Sequence, residues 1–198
     1  MILAKFSYNF DKLKVVGVII ALYGGSFDPP HLGHIHVVQA ALQTLDIEKV
    51  IIVPAYVNPF KKGTHAPAQL RSKWLKQIFF DYKNVEVSDI ETLASRAVKS
   101  IETVEHFSKL YKKIYFIIGA DNLASLQKWH QFEALDRAVT WVVATREEIA
   151  IDAQYIQLQV DQPISSTQLR TQLDKKQLPD MVADEIKTYY EEHHARSH

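Results

Sequence analysis

The chain has 198 residues, with 23 basic and 23 acidic side chains, no cysteine, and 47% apolar types. A chain of this length buries about 70% of the surface its unfolded form exposes, enough for a real core, while balanced charge and a pI of 7.1 exclude broad electrostatic capture of nucleic acid or an acidic membrane. Zero cysteine excludes a disulfide scaffold, a thiolate nucleophile and a Cys-rich zinc site, and it favours the cytoplasm.

No apolar run reaches the roughly 20 residues of a spanning helix. Residues 1–14 carry no clear period and read as an N-terminal extension. Lys12 and Lys14 ahead of the run from Val15 to Leu22, with Gly24, Gly25 and Ser26 behind it, imitate a secretion signal. The β-branched Val15, Val16, Val18, Ile19 and Ile20 read instead as a buried strand ending at a Gly-Gly turn. Strands are expected at Gly17–Tyr23, Val50–Pro54, Val85–Ser88, Ile114–Ile118 and Val139–Ala144. Between them the helical period marks Leu32–Leu45, a helix starting near Pro67, Ser100–Tyr111 with Ser100 as N-cap, and shorter helices at Asp121–Leu126 and Phe132–Ala138. The tail from Ser166 to Glu192 reads as helix broken at Pro179. Strands alternating with helices, without repeats or linkers, predict one α/β domain over residues 1–198, a doubly wound parallel sheet with a small C-terminal helical subdomain at 165–198.

The sharpest local feature joins the first strand to the first helix: Gly24-Gly25-Ser26-Phe27-Asp28-Pro29-Pro30-His31-Leu32-Gly33-His34. Glycines after a buried strand let the backbone turn tightly and meet a ligand with no Cβ in the way. The following helix offers unpaired N–H groups and the positive end of its dipole, which suit a phosphate. His31 and His34 stand three apart in that first turn, so both imidazoles can serve one polyphosphate, with Gly33 admitting close approach. A lone histidine is ordinarily a surface or core residue; two at a Gly-rich strand-to-helix turn argue for function. Neither the Walker loop nor the dinucleotide fingerprint is present. Zinc held by both histidines would need a third ligand, for which Asp28 is the nearby candidate.

Later segments supply further candidates. Ser165, Ser166 and Thr167 open a helix with Arg170 one turn in, which is either simple capping with a surface arginine or a second phosphate site. In Ile117-Ile118-Gly119-Ala120-Asp121, Gly119 leaves room for a base or ribose against the backbone, and Asp121 either accepts from ribose hydroxyls or caps the next helix. Trp129 is either core filler or an aromatic platform.

These residues resemble the HxGH nucleotidylyltransferase superfamily: Gly24 to His34 is similar to its G-G-[ST]-F-D-P-x-H-x-G-H signature, and Ile164 to Arg170 to its I-S-S-T-x-[IL]-R element. Gly119 and Asp121 followed by Lys128-Trp129 resemble the bacterial nicotinate-nucleotide adenylyltransferases in particular. Lys61 falls on that family's lysine after the second strand, Arg71 on its arginine in the next helix, and Ser100 within the element that seats the nicotinate carboxylate. Departures are Phe60 for His, Ala97 for Pro, Lys99 for Tyr and His130 for Tyr.

The resemblance implies a Rossmann-like fold and adenylyl transfer from ATP to nicotinate mononucleotide, giving nicotinate adenine dinucleotide and pyrophosphate in NAD biosynthesis. His31 and His34 would then meet the transferring phosphate, with Gly24, Gly25, Ser26 and Phe27 as the cradle. Ser165, Ser166, Thr167 and Arg170 would hold the outer phosphates, Gly119 and Asp121 the adenosine, and Trp129 with Ser100 the nicotinate. Mg²⁺ would ride mainly on phosphate oxygens and water. Neither nucleic acid nor membrane is an expected partner, and a homo-oligomer is compatible with the sequence. Related acceptors, nicotinamide mononucleotide or phosphopantetheine, and a non-catalytic nucleotide sensor are the competing readings.

Overall fold

A computed structural model of the chain describes residues 16–57, 63–145, 151–160 and 164–195; the N-terminal extension, Phe60 and Lys61 lie outside the described residues. Six strands form one sheet: β1 (Val16–Gly25), β2 (Lys49–Pro54), β3 (Val85–Val87), β4 (Tyr111–Gly119), β5 (Thr140–Thr145) and β6 (Ile156–Gln159). The helices are α1 (Leu32–Thr44), α2 (Ala68–Ile78), α3 (Ile90–Ala94), α4 (Ser100–Ser108), α5 (Phe132–Ala138), α6 (Ser166–Thr171) and α7 (Asp180–Ala195), with 3₁₀ turns at Ala120–Lys128 and Lys175–Gln177. The strand order is β3-β2-β1-β4-β5-β6. Every neighbouring pair is parallel, so each return to the sheet requires a crossover, and helices supply those from β1 through β5.

Successive residues of the central strands feed two cores. Ala21, Tyr23, Val50 and Ile52 pack with Val38 and Ala41 of α1, Trp74 and Leu75 of α2, and Ile186 and Tyr190 of α7. Ile20, Leu22, Ile51 and Val53 pack on the opposite face with Val104 and Phe107 of α4 and Leu135 of α5. Val50, Ile51 and Ile52 are wholly inaccessible, and coverage of both faces is why these strands read as unbroken apolar runs. The C-terminal helices share the face of α1 and α2. No helix among the described residues is long and apolar enough to cross a membrane.

Four local expectations are corrected. β1 continues through Gly24 and Gly25, which pair with Val53 and Pro54, so the turn begins only at Ser26. Ser100 is the first residue of α4, and Lys99 occupies the N-cap. The tail breaks earlier than Pro179: α6 ends at Thr171, and the Asp174 carboxylate accepts from the Lys176 amide at 3.0 Å, a local bond that competes with continued helix. The edge strand β6 and the short α3 were not expected.

The strand order reverses between β1 and β4, and in such sheets ligands bind over the carboxyl ends of the two strands at that point. Gly25 and Gly119 end those strands.

Candidate active site

β1 passes to α1 through Ser26 to His31. The left-handed residue of this turn is Phe27 (φ 48°), not a glycine. A bulky residue there costs on the order of 1–3 kcal/mol, offset by tertiary packing: Phe27 is 2% exposed, and its ring meets Tyr23 at 5.3 Å and His34 at 4.8 Å, both edge-on. The Phe27 ring is therefore a wedge beneath the turn, which it shapes by packing on Tyr23 and His34. Gly25 serves that wedge, because a Cβ there would lie 3.0 Å from the Phe27 ring. Gly24 is exposed, and only Phe116 comes within 3.9 Å of an added Cβ. Its backbone is the bare stretch at the crevice.

The two histidines come together. Their rings stack with centroids 3.7 Å apart and an interplanar angle of 25°. His31 holds the N-cap position of α1 in an extended conformation, and its amide donates to His34 Nδ1 at 3.1 Å. That bond makes Nδ1 an acceptor, which puts the proton of the neutral ring on Nε2, a donor directed away from the backbone. Gly33 is what permits the stack: a Cβ there would stand 3.0 Å from both Cε1 and Nδ1 of His31. The pair is not symmetric, since His31 is 1% exposed whereas His34 is half-buried.

The serines near the tail reach the same turn. Ser166 Oγ donates to the Pro29 carbonyl at 3.0 Å, Arg170 Nη1 donates to the Asp28 carbonyl, and Arg170 Nη2 donates to Thr167 Oγ1 at 3.1 Å. Ser165 Oγ caps α6 by accepting from the Gln168 amide at 3.1 Å. The capping reading of Ser165 holds, and Arg170 is no plain surface arginine, since it reaches the backbone of the histidine turn. The Ser166 and Arg170 bonds fasten α6 to the Asp28–Pro29 part of the histidine turn, and Thr167 at the start of α6 is exposed.

Across the crevice, Asn122 Nδ2 donates to the Gly119 carbonyl at 3.2 Å and to Asp121 Oδ1 at 3.1 Å. Asp121 makes no helix-capping bond and is exposed, which removes the capping reading. Trp129 is half-buried, edge-on to Phe116 at 6.3 Å and Trp141 at 6.2 Å; it fills the core along one side and keeps some surface exposed. Ser100 is half-buried at the start of α4. The neighbouring Lys99 amide is taken by Glu102 Oε1 at 2.9 Å. Arg96 grips both Glu102 oxygens, at 3.2 and 2.6 Å, and these bonds, together with the one from the Lys99 amide, hold that carboxyl down at about 2. The Lys99 amide is thus already occupied.

Arg71 is not a ligand contact. It is fully buried, and its guanidinium donates to the carbonyls of Ser26, Ala66 (2.9 Å), Ala55 (2.8 Å) and Tyr56 (3.0 Å). Its forked donors staple the ends of β1 and β2 to α2, a geometry Lys would not reproduce. Burial lowers its pKa while the Asp28 charge opposes that shift.

Asp28 was outside the expected substrate-binding set, yet it organises the turn. Its Oδ2 accepts from the His65 amide at 2.8 Å, and its Oδ1 accepts from the Ala66 amide at 3.0 Å and from the Tyr190 hydroxyl. Burial alone would raise its pKa; the Tyr190 bond, the two amides and the Arg71 charge outweigh it and hold the carboxyl below its ordinary range. No signal within a short window could have found this, because Tyr190 lies 162 positions away. With its oxygens so engaged, Asp28 does not complete a zinc site. Among the described residues no three His, Asp or Glu side chains converge for a metal.

Residues 22–172 match the family model described as cytidylyltransferase-like. A protein of Sulfurimonas denitrificans named "Probable nicotinate-nucleotide adenylyltransferase" is 51% identical over 178 residues, covering 90% of this chain and 98% of its own. One of the same name from Nitratiruptor is 48% identical over 173 residues, covering 86% and 98%. The structure of Plasmodium falciparum nicotinic acid mononucleotide adenylyltransferase complexed with NaAD superposes with a TM-score of 0.73 at 20% identity, covering 88% of this chain and 98% of that one, a likeness of fold. The chain belongs to the nicotinate-nucleotide adenylyltransferase family.

Proposed function

We propose that this enzyme transfers the adenylyl group of ATP to nicotinate mononucleotide, forming nicotinate adenine dinucleotide and releasing pyrophosphate. The observation that carries the proposal is the stacked His31–His34 pair tied to the opening of α6 at the β1–β4 crevice, in a chain 51% identical to a relative named for this activity.

A phosphate oxygen of the mononucleotide forms a bond to the α-phosphorus of ATP as the bond from that phosphorus to the bridging oxygen of pyrophosphate breaks. The acceptor is already anionic at neutral pH, so no general base is needed; alignment of like-charged groups and stabilisation of charge on the leaving oxygens govern the rate. His34 Nε2–H donates to the departing pyrophosphate oxygen, with the stacked His31 ring behind it. Thr167, Arg170 and the first amides of α6 serve the β- and γ-phosphates, the Gly24 backbone the α-phosphate, Gly119 and Asp121 the adenosine, and Trp129 with the start of α4 the pyridine ring. The donor set fits Mg²⁺ carried by triphosphate oxygens and water rather than caged by side chains, where the ion supplies charge neutralisation.

The test is pyrophosphate release from ATP with each acceptor in turn. Release that depends on nicotinate mononucleotide and exceeds that with nicotinamide mononucleotide or phosphopantetheine is expected. Preference for another acceptor, or nucleotide binding without turnover, overturns the assignment.

A further inference from the structure

Several remote groups hold the histidine turn. Ser166 and Arg170 reach its backbone from α6, to which phosphate binding is assigned above, and Arg71 reaches it from α2. Another tie is Tyr190, from α7, a helix with no place in the chemistry described above. Tyr190 is 1% exposed; its ring lies 6.3 Å from Trp74 and 5.4 Å from Tyr189, and its hydroxyl donates to Asp28 Oδ1.

The sequence around Asp28 turns that bond into a lever. Phe27 before it is locked in the left-handed region by its packing. Pro29 and Pro30 after it have φ fixed near −65°, and a residue preceding proline is itself restricted. Little slack therefore separates the Asp28 carboxylate from His31, and any tilt of Asp28 passes along the stiff Pro-Pro segment into the stacked rings rather than being absorbed on the way. The carboxylate is anchored on one side by the amides of His65 and Ala66, which precede α2, and on the other by α7.

We propose that Tyr190 is a positioning residue for adenylyl transfer: by gripping the Asp28 carboxylate it sets the register of the Pro29–His34 turn, and hence of the imidazole pair against α6. The proposal rests on the reading of His34 as phosphate-facing. Its effect appears in the rate of the chemical step, where a displacement of about half an ångström costs roughly tenfold, more than in substrate affinity.

Tyr190→Phe removes one oxygen and keeps the ring against Trp74. Expected is a kcat about tenfold lower, with KM for ATP and for nicotinate mononucleotide changed less than about twofold. Because Tyr190 acts through Asp28, adding Tyr190→Phe to Asp28→Asn should lower kcat little further, the non-additivity of coupled groups. Glu185→Gln, which breaks an exposed ion pair from the same helix to Lys73 (2.8 Å) with no link to the carboxylate, should leave kcat unchanged. An unaltered kcat in Tyr190→Phe, equal losses in kcat and KM, or additive losses with Asp28→Asn overturns the proposal. Should Tyr190→Phe fail to fold, Asp28→Asn alone must show the kcat-selective loss, and normal turnover there overturns it equally. His34→Ala in the same assay separates the two levels. Normal turnover in that variant sinks the histidine reading itself, whereas loss in His34→Ala with unaffected Tyr190→Phe sinks only the tether.

Discussion

Replacing Gly33 by alanine sets two effects of opposite sign against each other. In a first helical turn, alanine is favoured over glycine by about 0.5–1 kcal/mol. Against this, the new methyl would sit 3.0 Å from Cε1 and Nδ1 of His31 and 3.7 Å from Ile164 Cβ. Ordinary carbon contacts begin at about 3.5 Å, so the ring must yield by about half an ångström. It has nowhere easy to go, being 1% exposed and stacked on His34 at 3.7 Å. Overpacking of this kind costs about 1–3 kcal/mol. Net stability should therefore fall by only about 0–2.5 kcal/mol, leaving the protein folded, while the displaced imidazoles lower kcat about tenfold or more. Thermal melting and steady-state pyrophosphate release on the same preparation read both quantities. Full turnover in Gly33→Ala, with the fold intact, would refute the claim that ring placement at this turn governs the rate.

Two further outcomes concern pH. The Asp28 carboxyl is depressed below its ordinary value, so its stabilisation is present above the unfolded-state pKa and is lost as pH falls below about 4 through the folded-state value. Asp28→Asn should flatten that acid-side loss of melting temperature and cost about 1–3 kcal/mol at neutral pH, because its new NH₂ faces donors; an unchanged acid limb would count against the assignment. Glu91 behaves oppositely: it is buried, accepts from Thr103 Oγ1 at 2.7 Å, and burial reinforced by Glu102 raises its pKa. The folded state holds that proton more firmly, so stability declines as pH rises from about 4.3 through the folded-state value. Glu91→Gln should melt higher than the parent above neutrality and lose that decline, and identical melting curves there would contradict the burial effect.

What the sequence revealed follows from how local each cause is. Strands buried on both faces announced themselves as β-branched runs, whereas β6 did not, because along Ile156–Gln159 only Leu158 is buried. The histidine pair was legible from its spacing, and the glycines after the first and fourth strands from their place beyond β-branched runs, although β1 and β4 extend into them. Phe27 hid its role, since glycine is the usual left-handed residue and what holds an aromatic there is packing on Tyr23 and His34. Arg71 is expected in the site only because it falls on the resembled family's arginine; the fold shows four backbone carbonyls around it. Asp28 and Tyr190 meet through a contact that no local window contains.

The decisive measurement is the rate of adenylyl transfer by His34→Ala alongside its affinity for ATP. A donor used in the transition state predicts a fall in kcat on the order of a hundredfold or more with ATP binding changed by no more than a few fold. Parallel losses in rate and affinity, or a rate equal to the parent's, would contradict it.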